Sequence, residues 1–491
     1  MTHHDLGLLN SVKRLIIDGK HVDACDGRTF ETRNPATGKL LATVSEGDAR
    51  DIDLAVAAAR RAFEGPWRRF TPFQRQECLL KFADLVDRHF EEFSLLDTLD
   101  MGAPISFTRS RRQRAVGMLR FYAGLCTTIQ GGTLPNSLPG DVFSYTLKEP
   151  VGVVGAITPW NAPLTSTIWK IGPVLATGCT MVLKPAEDAP LTALRLGELA
   201  LEAGIPPGVI NVVPGYGQTA GAALAAHMDV DKIAFTGSDV TGRRIIEASK
   251  GNIKRLMLEL GGKSPDIVFA DADLDKAVPG TAMGIFGNSG QVCSAGSRLL
   301  VERAIYDEFV ERVSIFAKAL RVGDGMLAET QIGPVVSGKQ LARVRSYIDI
   351  GVSEGAAVAT GGGQIVEGAL ADGYFMQPTV LRDVDFRMRV AQEEIFGPVV
   401  TAIPFDSQDE AIRIANATPY GLGSGVWTRD GAKAHTMAKA IRAGTVWVNC
   451  YGALDPVIPF GGYKMSGYGR ESGAEHVGEY LQTKAVVMQN G

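Results

Sequence analysis

The chain has no Cys-x-x-Cys pair among its six cysteines, Cys25, Cys78, Cys126, Cys179, Cys293 and Cys450. That spacing argues against a zinc ribbon or a disulfide framework and suits a reducing cytoplasm, where one thiol serves chemistry and the rest serve packing. The seven histidines form no His-Glu-x-x-His motif or other ligand cluster, so no metal is expected. A basic stripe is also missing. Lys and Arg total 50 against 54 Asp and Glu, for a net charge of −4 with the cations dispersed, which excludes the usual footprint of a nucleic-acid partner. The longest membrane-like run, Ile171 to Leu183, is 13 residues between Lys170 and Lys184, too short to span a bilayer. The opening residues, Met1 to Arg14, lack the apolar core of a signal peptide. A soluble cytoplasmic protein with no membrane partner is expected. Gly-x-Gly-x-x-Gly occurs at none of the strand ends considered below, so a conventional dinucleotide fingerprint is absent too.

What remains is ordinary globular material: 491 residues, 45% hydrophobic and 21% charged. At roughly 100–200 residues per domain, two or three domains are expected. From Val151 onward short β-branched runs alternate with helical segments. Strands are predicted over Val151–Ile157, Thr180–Leu183, Val209–Val213, Lys232–Phe235 and Arg255–Leu260, with helices over Leu191–Ala203 and Thr219–Ala226. This alternation predicts a parallel sheet covered by helices on both faces, with ligands beyond the carboxyl ends of its strands. The first 130 residues read as largely helical, notably Asp51–Phe63 and Phe73–Leu96. A second α/β stretch runs from about Pro265 to Phe460, with strands near Asp266–Phe269, Arg298–Val301, Val399–Ile403 and Thr445–Asn449. The tail Lys484–Gln489 reads as an edge strand.

Several segments carry groups suited to chemistry. Cys293 lies in Asn288-Ser-Gly-Gln-Val-Cys-Ser-Ala-Gly-Ser297, where small neighbours leave the sulfur approachable. A thiolate is a strong nucleophile, and a nearby cation or helix N-terminus lowers its pKa. A buried packing cysteine is the alternative. Glu259 closes the apolar run from Arg255 and faces Gly261 and Gly262, a place for a general base or for an ion pair. Asn161, in Thr158-Pro-Trp-Asn-Ala-Pro163, could donate to an oxyanion or make an Asx turn. Lys184 and Glu187 leave another strand end as Lys-Pro-Ala-Glu, suited to ribose hydroxyls and repellent to a 2′-phosphate. Phe235-Thr-Gly-Ser238 ends a further strand and opens a helix whose amides could receive a pyrophosphate. Gly351-Val-Ser-Glu-Gly355 matches the serine-hydrolase elbow, but it ends a helical stretch, Lys339–Ile350, where an elbow needs a strand before it.

Taken in order with Leu258–Pro265, Glu393-Glu-Ile-Phe-Gly-Pro398 and Pro459–Gly467, these segments resemble the aldehyde dehydrogenase superfamily over nearly the whole chain. The resemblance implies an α/β fold: a Rossmann-like parallel-sheet cofactor domain (1–130 and 151–261), an α/β catalytic domain (262–462) and a small β oligomerisation element (131–150 and 478–491). It implies Cys293 as nucleophile, Glu259 as the base for the deacylating water, and Asn161 with the Cys293 amide as oxyanion hole. The cofactor is expected to be NAD, with Ile157, Trp160, Lys184, Glu187, Gly237, Ser238, Glu394 and Phe396 around it. The aldehyde tunnel is expected at Arg114, Ala162, Thr165, Trp169, Val292, Leu454 and Phe460, together with Ser110, Ser166 and Gly287. A homotetramer or homodimer is expected.

The family often places aromatic rings where this chain has Ala162 and Gly287, so the tunnel reads as wide and apolar, favouring a bulky hydrophobic or aromatic aldehyde. Arg114 dissents, since it could anchor the carboxylate of a semialdehyde, although no second cation is evident beside the nucleophile. A CoA-acylating relative is disfavoured because those typically lack the Glu259 base. A binding protein that has lost catalysis is disfavoured by the joint presence of Cys293, Glu259 and Asn161.

Overall fold

The computed structural model describes residues 11–490. Strands with no polar alternation must be covered on both faces, and the runs predicted between 151 and 260 are. Arg255–Glu259, Lys232–Thr236, Val153–Ile157, Thr180–Lys184 and Ile210–Val212 lie side by side in that order, all parallel. Alternate side chains go to opposite cores. Val154, Ala156, Met181 and Leu183 pack with the helices Pro72–Arg88, Arg112–Leu125 and Pro163–Thr177, while Val153, Val182, Ile233 and Phe235 pack with the helix Ala49–Glu64. Val153–Ile157 comes first in this series and third in space, so connections leave it in both directions. Such a switch point opens a crevice at the carboxyl ends of the strands.

The second sheet has the order Ala357–Thr360, Thr379–Arg382, Val399–Phe405, Arg298–Glu302, Pro265–Val268, Gly423–Trp427, Thr445–Val448, parallel except at its first strand. The helices Leu274–Phe286 and Tyr306–Ala319 cover one face; Gly338–Ser353 and Gln408–Asn416 cover the other. Val142–Pro150 and Leu481–Gln489 form a separate antiparallel ribbon with Phe143, Leu147, Val487 and Met488 exposed. Among the described residues no helix is long and apolar enough to cross a membrane.

The start of the chain corrects the expectation of a largely helical first 130 residues. Leu15–Ile17 and Lys20–Val22 form a hairpin that adds to the first sheet through Ile16 and Val212, and Thr29–Arg33 pairs with Leu40–Ser45. The hairpin turns on Asp18 and Gly19, with φ of 52° and 72°, the pair of positive φ values that a two-residue turn requires. Between the predicted limits Phe73 and Leu96 the helix breaks at His89 into Pro72–Arg88 and Phe90–Met101. Gly351–Gly355 ends the helix Gly338–Ser353, away from any strand-to-helix elbow.

Arg298 ties the start of the second sheet to the helix Gln408–Asn416. Its guanidinium is fully buried and donates to the carbonyls of Lys263 at 2.8 Å, Ile414 at 2.9 Å and Ala415 at 2.8 Å. Arg298→Met keeps the bulk and strands three buried acceptors. At about 1–3 kcal/mol for each unsatisfied group, a loss of about 3 kcal/mol or more is expected, read as a lower midpoint in denaturant or thermal unfolding.

Candidate active site

The carboxyl ends of the first sheet, the Cys293 loop and the Leu454–Phe460 segment enclose a cavity of about 480 Å³. The backbone before Cys293 is held in an unusual shape. Asn288, Ser289 and Gly290 all have left-handed φ, at 52°, 56° and 71°. Side chains over-determine this turn: Ser289 Oγ donates to the Gly333 carbonyl at 2.8 Å, and Gln291 Oε1 accepts from the Val336 amide at 2.9 Å. A Cβ at Gly290 would lie 2.0 Å from the Gly397 carbonyl oxygen, so only glycine fits. Asn161 is locked to the same turn. Its Nδ2 donates to the Gln291 carbonyl at 2.8 Å, and its own carbonyl accepts from Asn288 Nδ2 at 3.0 Å. An amide nitrogen carries two hydrogens, so one remains for the cavity that Asn161 lines with Cys293.

Glu259 ends the strand Arg255–Glu259, and Gly467–Tyr468 pairs antiparallel with it, bringing the 459–467 segment alongside. Both carboxylate oxygens are buried without a hydrogen-bond partner. Burial, then the nearby Glu471 charge, holds Glu259 well above the ordinary carboxylate range, with Lys170 and Arg470 pulling the other way. Lys170 and Glu471 are themselves a fully buried, hydrogen-bonded ion pair.

The environment of Cys293 works against the thiolate. The half-buried thiol is pushed up by burial and then by the carboxylates Glu394, Glu259 and Glu471. These surroundings disfavour the thiolate, so attack by the sulfur calls for a proton acceptor.

The other residues expected at a cofactor lie at two places. Trp160 meets Phe396 edge-on at 5.2 Å, and Phe396 has φ of 62°, held by Gln340 Nε2 donating to its carbonyl at 2.7 Å. Glu394 accepts the Gly262 amide at 3.1 Å and is raised by burial to about 7. Ser238 caps the helix Asp239–Ala248, and Gly237 and the partnerless hydroxyl of Thr236 line the cavity beside it. Ile157 and Lys184 end adjacent strands, and Lys184 Nζ meets Glu187 Oε2 at 3.1 Å. These three stand outside the wall of the main cavity, at the adjoining strand ends.

Arg114, Ala162, Thr165, Ser166, Trp169, Val292, Leu454 and Phe460 all line the cavity, with Trp169 and Phe460 stacked at 5.7 Å. Ser110 does not; it is exposed, its hydroxyl donating to the Phe107 carbonyl at 2.7 Å. Gly287 is also outside the wall, and a Cβ there would meet nothing within 4 Å. Sequence reasoning missed Arg111, Gln340, Arg343 and Tyr420. Gln340 and Arg343 left a faint signal, polar positions three apart on a helix whose Leu341, Val344 and Ile348 are buried.

Comparison with known proteins agrees with this geometry. The model of the aldehyde dehydrogenase family matches residues 21–486. The chain belongs to the aldehyde dehydrogenase family. This aldehyde dehydrogenase is 50% identical to the mitochondrial aldehyde dehydrogenase family 2 member B4 of Arabidopsis thaliana, over 96% of the chain and 88% of that protein. It is 49% identical to the mitochondrial benzaldehyde dehydrogenase of Antirrhinum majus, over the same shares. Its structure superposes on the NAD+ complex of aldehyde dehydrogenase from Bacillus cereus with a TM-score of 0.97 and 48% identity, covering 100% of this chain and 99% of that one. Oxidation of an aldehyde is the general activity.

A Cβ at Gly262 would sit 2.5 Å from the Cys293 carbonyl oxygen. Gly262→Ala therefore pushes the nucleophile's backbone. Misplacement of about 1 Å costs about a hundredfold in rate, so turnover and the rate of Cys293 alkylation should both fall while the melting curve stays cooperative.

Proposed function

We propose that the chain is an NAD-dependent, hydrolytic aldehyde dehydrogenase that oxidises a bulky, apolar aldehyde through a thioester on Cys293. The observation that carries this reading is one cavity lined by a thiol, an amide donor and a buried, partnerless carboxylate. Cys293 Sγ passes its proton to water in the cavity and attacks the aldehyde carbon, forming a carbon–sulfur bond as the carbonyl π bond opens to the oxyanion. The developing oxyanion takes the remaining N–H of Asn161 and the Cys293 backbone amide. The oxyanion collapses as the hydride leaves carbon, giving the thioester. Bound NAD supplies the hydride acceptor. Glu259 then takes a proton from water, the hydroxide attacks the thioester, and the carbon–sulfur bond breaks to release the acid. Lys170, beside Glu259, favours the carboxylate form that this step needs.

The residues present fit NAD. The Thr236 hydroxyl lacks a partner in the cavity, the helix at Asp239 presents free amides beside it, and Glu394 and Gln340 bracket the Phe396 turn. The Bacillus cereus neighbour, described as an NAD+ complex, supports the same choice. The stacked Trp169 and Phe460 with Ala162 favour a wide apolar substrate, and the benzaldehyde dehydrogenase among the relatives is in keeping with it. The exposed apolar side chains of the 142–150 and 481–489 ribbon support assembly into a dimer or tetramer. The free thiols suit a cytoplasmic setting.

Cys293→Ala should abolish NADH formation, and Glu259→Gln should still give a burst of up to one NADH per site followed by slow turnover with free acid released. A folded, active Cys293→Ala protein overturns the assignment of the nucleophile. Because Glu259 acts as a base and its folded pKa is raised, deacylation should fall as pH drops through that raised value, above the usual carboxylate range. Glu259→Gln should remove this acid limb.

The carboxylate of Glu187 beside Lys184 should disfavour a 2′-phosphate. NAD should exceed NADP in kcat/KM, and Glu187→Gln should narrow that ratio without raising the NAD value.

A further inference from the structure

The segment 109–120 carries arginines with two different fates. Arg109, Arg112 and Arg120 reach outward, and each meets a carboxylate: Glu91, Asp87 and Asp84. Arg111 and Arg114 turn to the cavity, and neither forms an ion pair among the described residues. Arg114 Nε and Nη2 are closed off from solvent and make no hydrogen bond. Burial alone shifts Arg114, lowering it with no charge set against it. Arg111 lies 4.1 Å over the Phe107 ring and is lowered to about 10, first by burial and then by the charge of Arg114. Only Asp97 opposes that, and Asp97 is committed to the Thr192 hydroxyl at 2.7 Å and is itself raised by burial to about 6. Buried donors and charges are normally partnered, because leaving them bare is costly. A second cation therefore stands beside Arg114, one that the sequence alone did not reveal.

The place of the pair is informative. Arg114 is on the helix Arg112–Leu125, which packs on the helix bearing Thr165 and Trp169. On the same helix Gly117 approaches Pro456, so the helix also borders the Leu454–Phe460 segment. Both neighbours belong to the apolar aldehyde wall. The acidic groups of the cavity, Asp239, Glu259 and Glu394, come from the strand ends and from the turn that precedes Val399.

We propose that Arg114, backed by Arg111, binds a carboxylate at the far end of the substrate, so that the preferred aldehyde is an acid-aldehyde whose two ends are joined by hydrocarbon or an aromatic ring. This rests on the cavity being the aldehyde tunnel proposed above and narrows the substrate class within it. The planar guanidinium fits a carboxylate with two parallel hydrogen bonds, and the stacked Trp169 and Phe460 bury the body between the ends. Solvent alone leaves Arg114 Nε and Nη2, which are closed off from it, without an acceptor.

The test uses the full-length enzyme with NAD and three matched aldehydes: benzaldehyde, 4-formylbenzoate and the neutral methyl ester of that acid. The acid-aldehyde should be oxidised with a kcat/KM about tenfold or more above that of the ester, the size of one charge-assisted contact. The advantage should lie in KM and shrink as salt is raised. Arg114→Met should bring the ratio towards one, and Arg114→Lys should restore part of it. Terephthalate should compete against 4-formylbenzoate in the wild-type enzyme, a measurement that needs no variant. An ester that equals or beats the acid in the wild type, or a ratio unmoved in Arg114→Met, overturns the proposal. NADH from none of the three overturns the tunnel assignment itself and the proposal with it, whereas oxidation of benzaldehyde and the ester without the acid overturns the proposal alone.

Discussion

Glu259 and Cys293 line one cavity, and neither group has a charge of opposite sign in hydrogen-bond contact. That constraint shapes the structure around them. Burial raises both groups and so disfavours the thiolate and the carboxylate alike. Were the thiol lowered by an adjacent cation, the nucleophile would be more abundant but less reactive. A thiol that must be deprotonated on demand is a stronger nucleophile once it is. The Gly467–Tyr468 strand pairs beside Glu259, and Gly461 packs so closely on it that a Cβ there would lie 2.8 Å from Oε1.

Keeping such groups buried works against folding, and the surrounding architecture offsets it. Lys170 and Glu471 neutralise each other out of reach of solvent, and Arg298 satisfies three carbonyls where a neutral residue of similar bulk would leave them bare. The left-handed turn before Cys293 is held by Ser289 and Gln291 reaching into the Gly333–Val336 segment. Strain at the nucleophile is thus distributed into neighbouring loops, and the two sheets meet where their strand ends can share it.

Much of this was legible in the sequence because the informative signals are local. Strand ends followed by glycine, and a cysteine among small residues, are short-range patterns, and the strands between 151 and 260 appear within a few residues of their expected limits. What escaped was made by contact through space. The hairpin Leu15–Val22 is too short for a periodic signal and is stabilised by Val212, nearly two hundred residues away. The carboxylates that raise Cys293 come from residues 259, 394 and 471, and no window of sequence holds them together. Arg111 stands in a run of arginines, and only the direction of its side chain sets it apart from Arg112.

That last difference ties the substrate end of the cavity to the logic of its centre. The interior holds a partnerless carboxyl at Glu259, to which the proposed mechanism brings a water with each turnover. It tolerates partnerless guanidinium nitrogens at Arg114 on the same terms, if an anion arrives with each substrate. Both are charges whose partner is a reactant, and both lie on walls fixed by rigid helices and strands instead of mobile loops. A site built this way discriminates by what it leaves unsatisfied: an aldehyde lacking the matching anion fills the apolar space yet leaves the arginines bare, and the penalty falls on the wrong substrate.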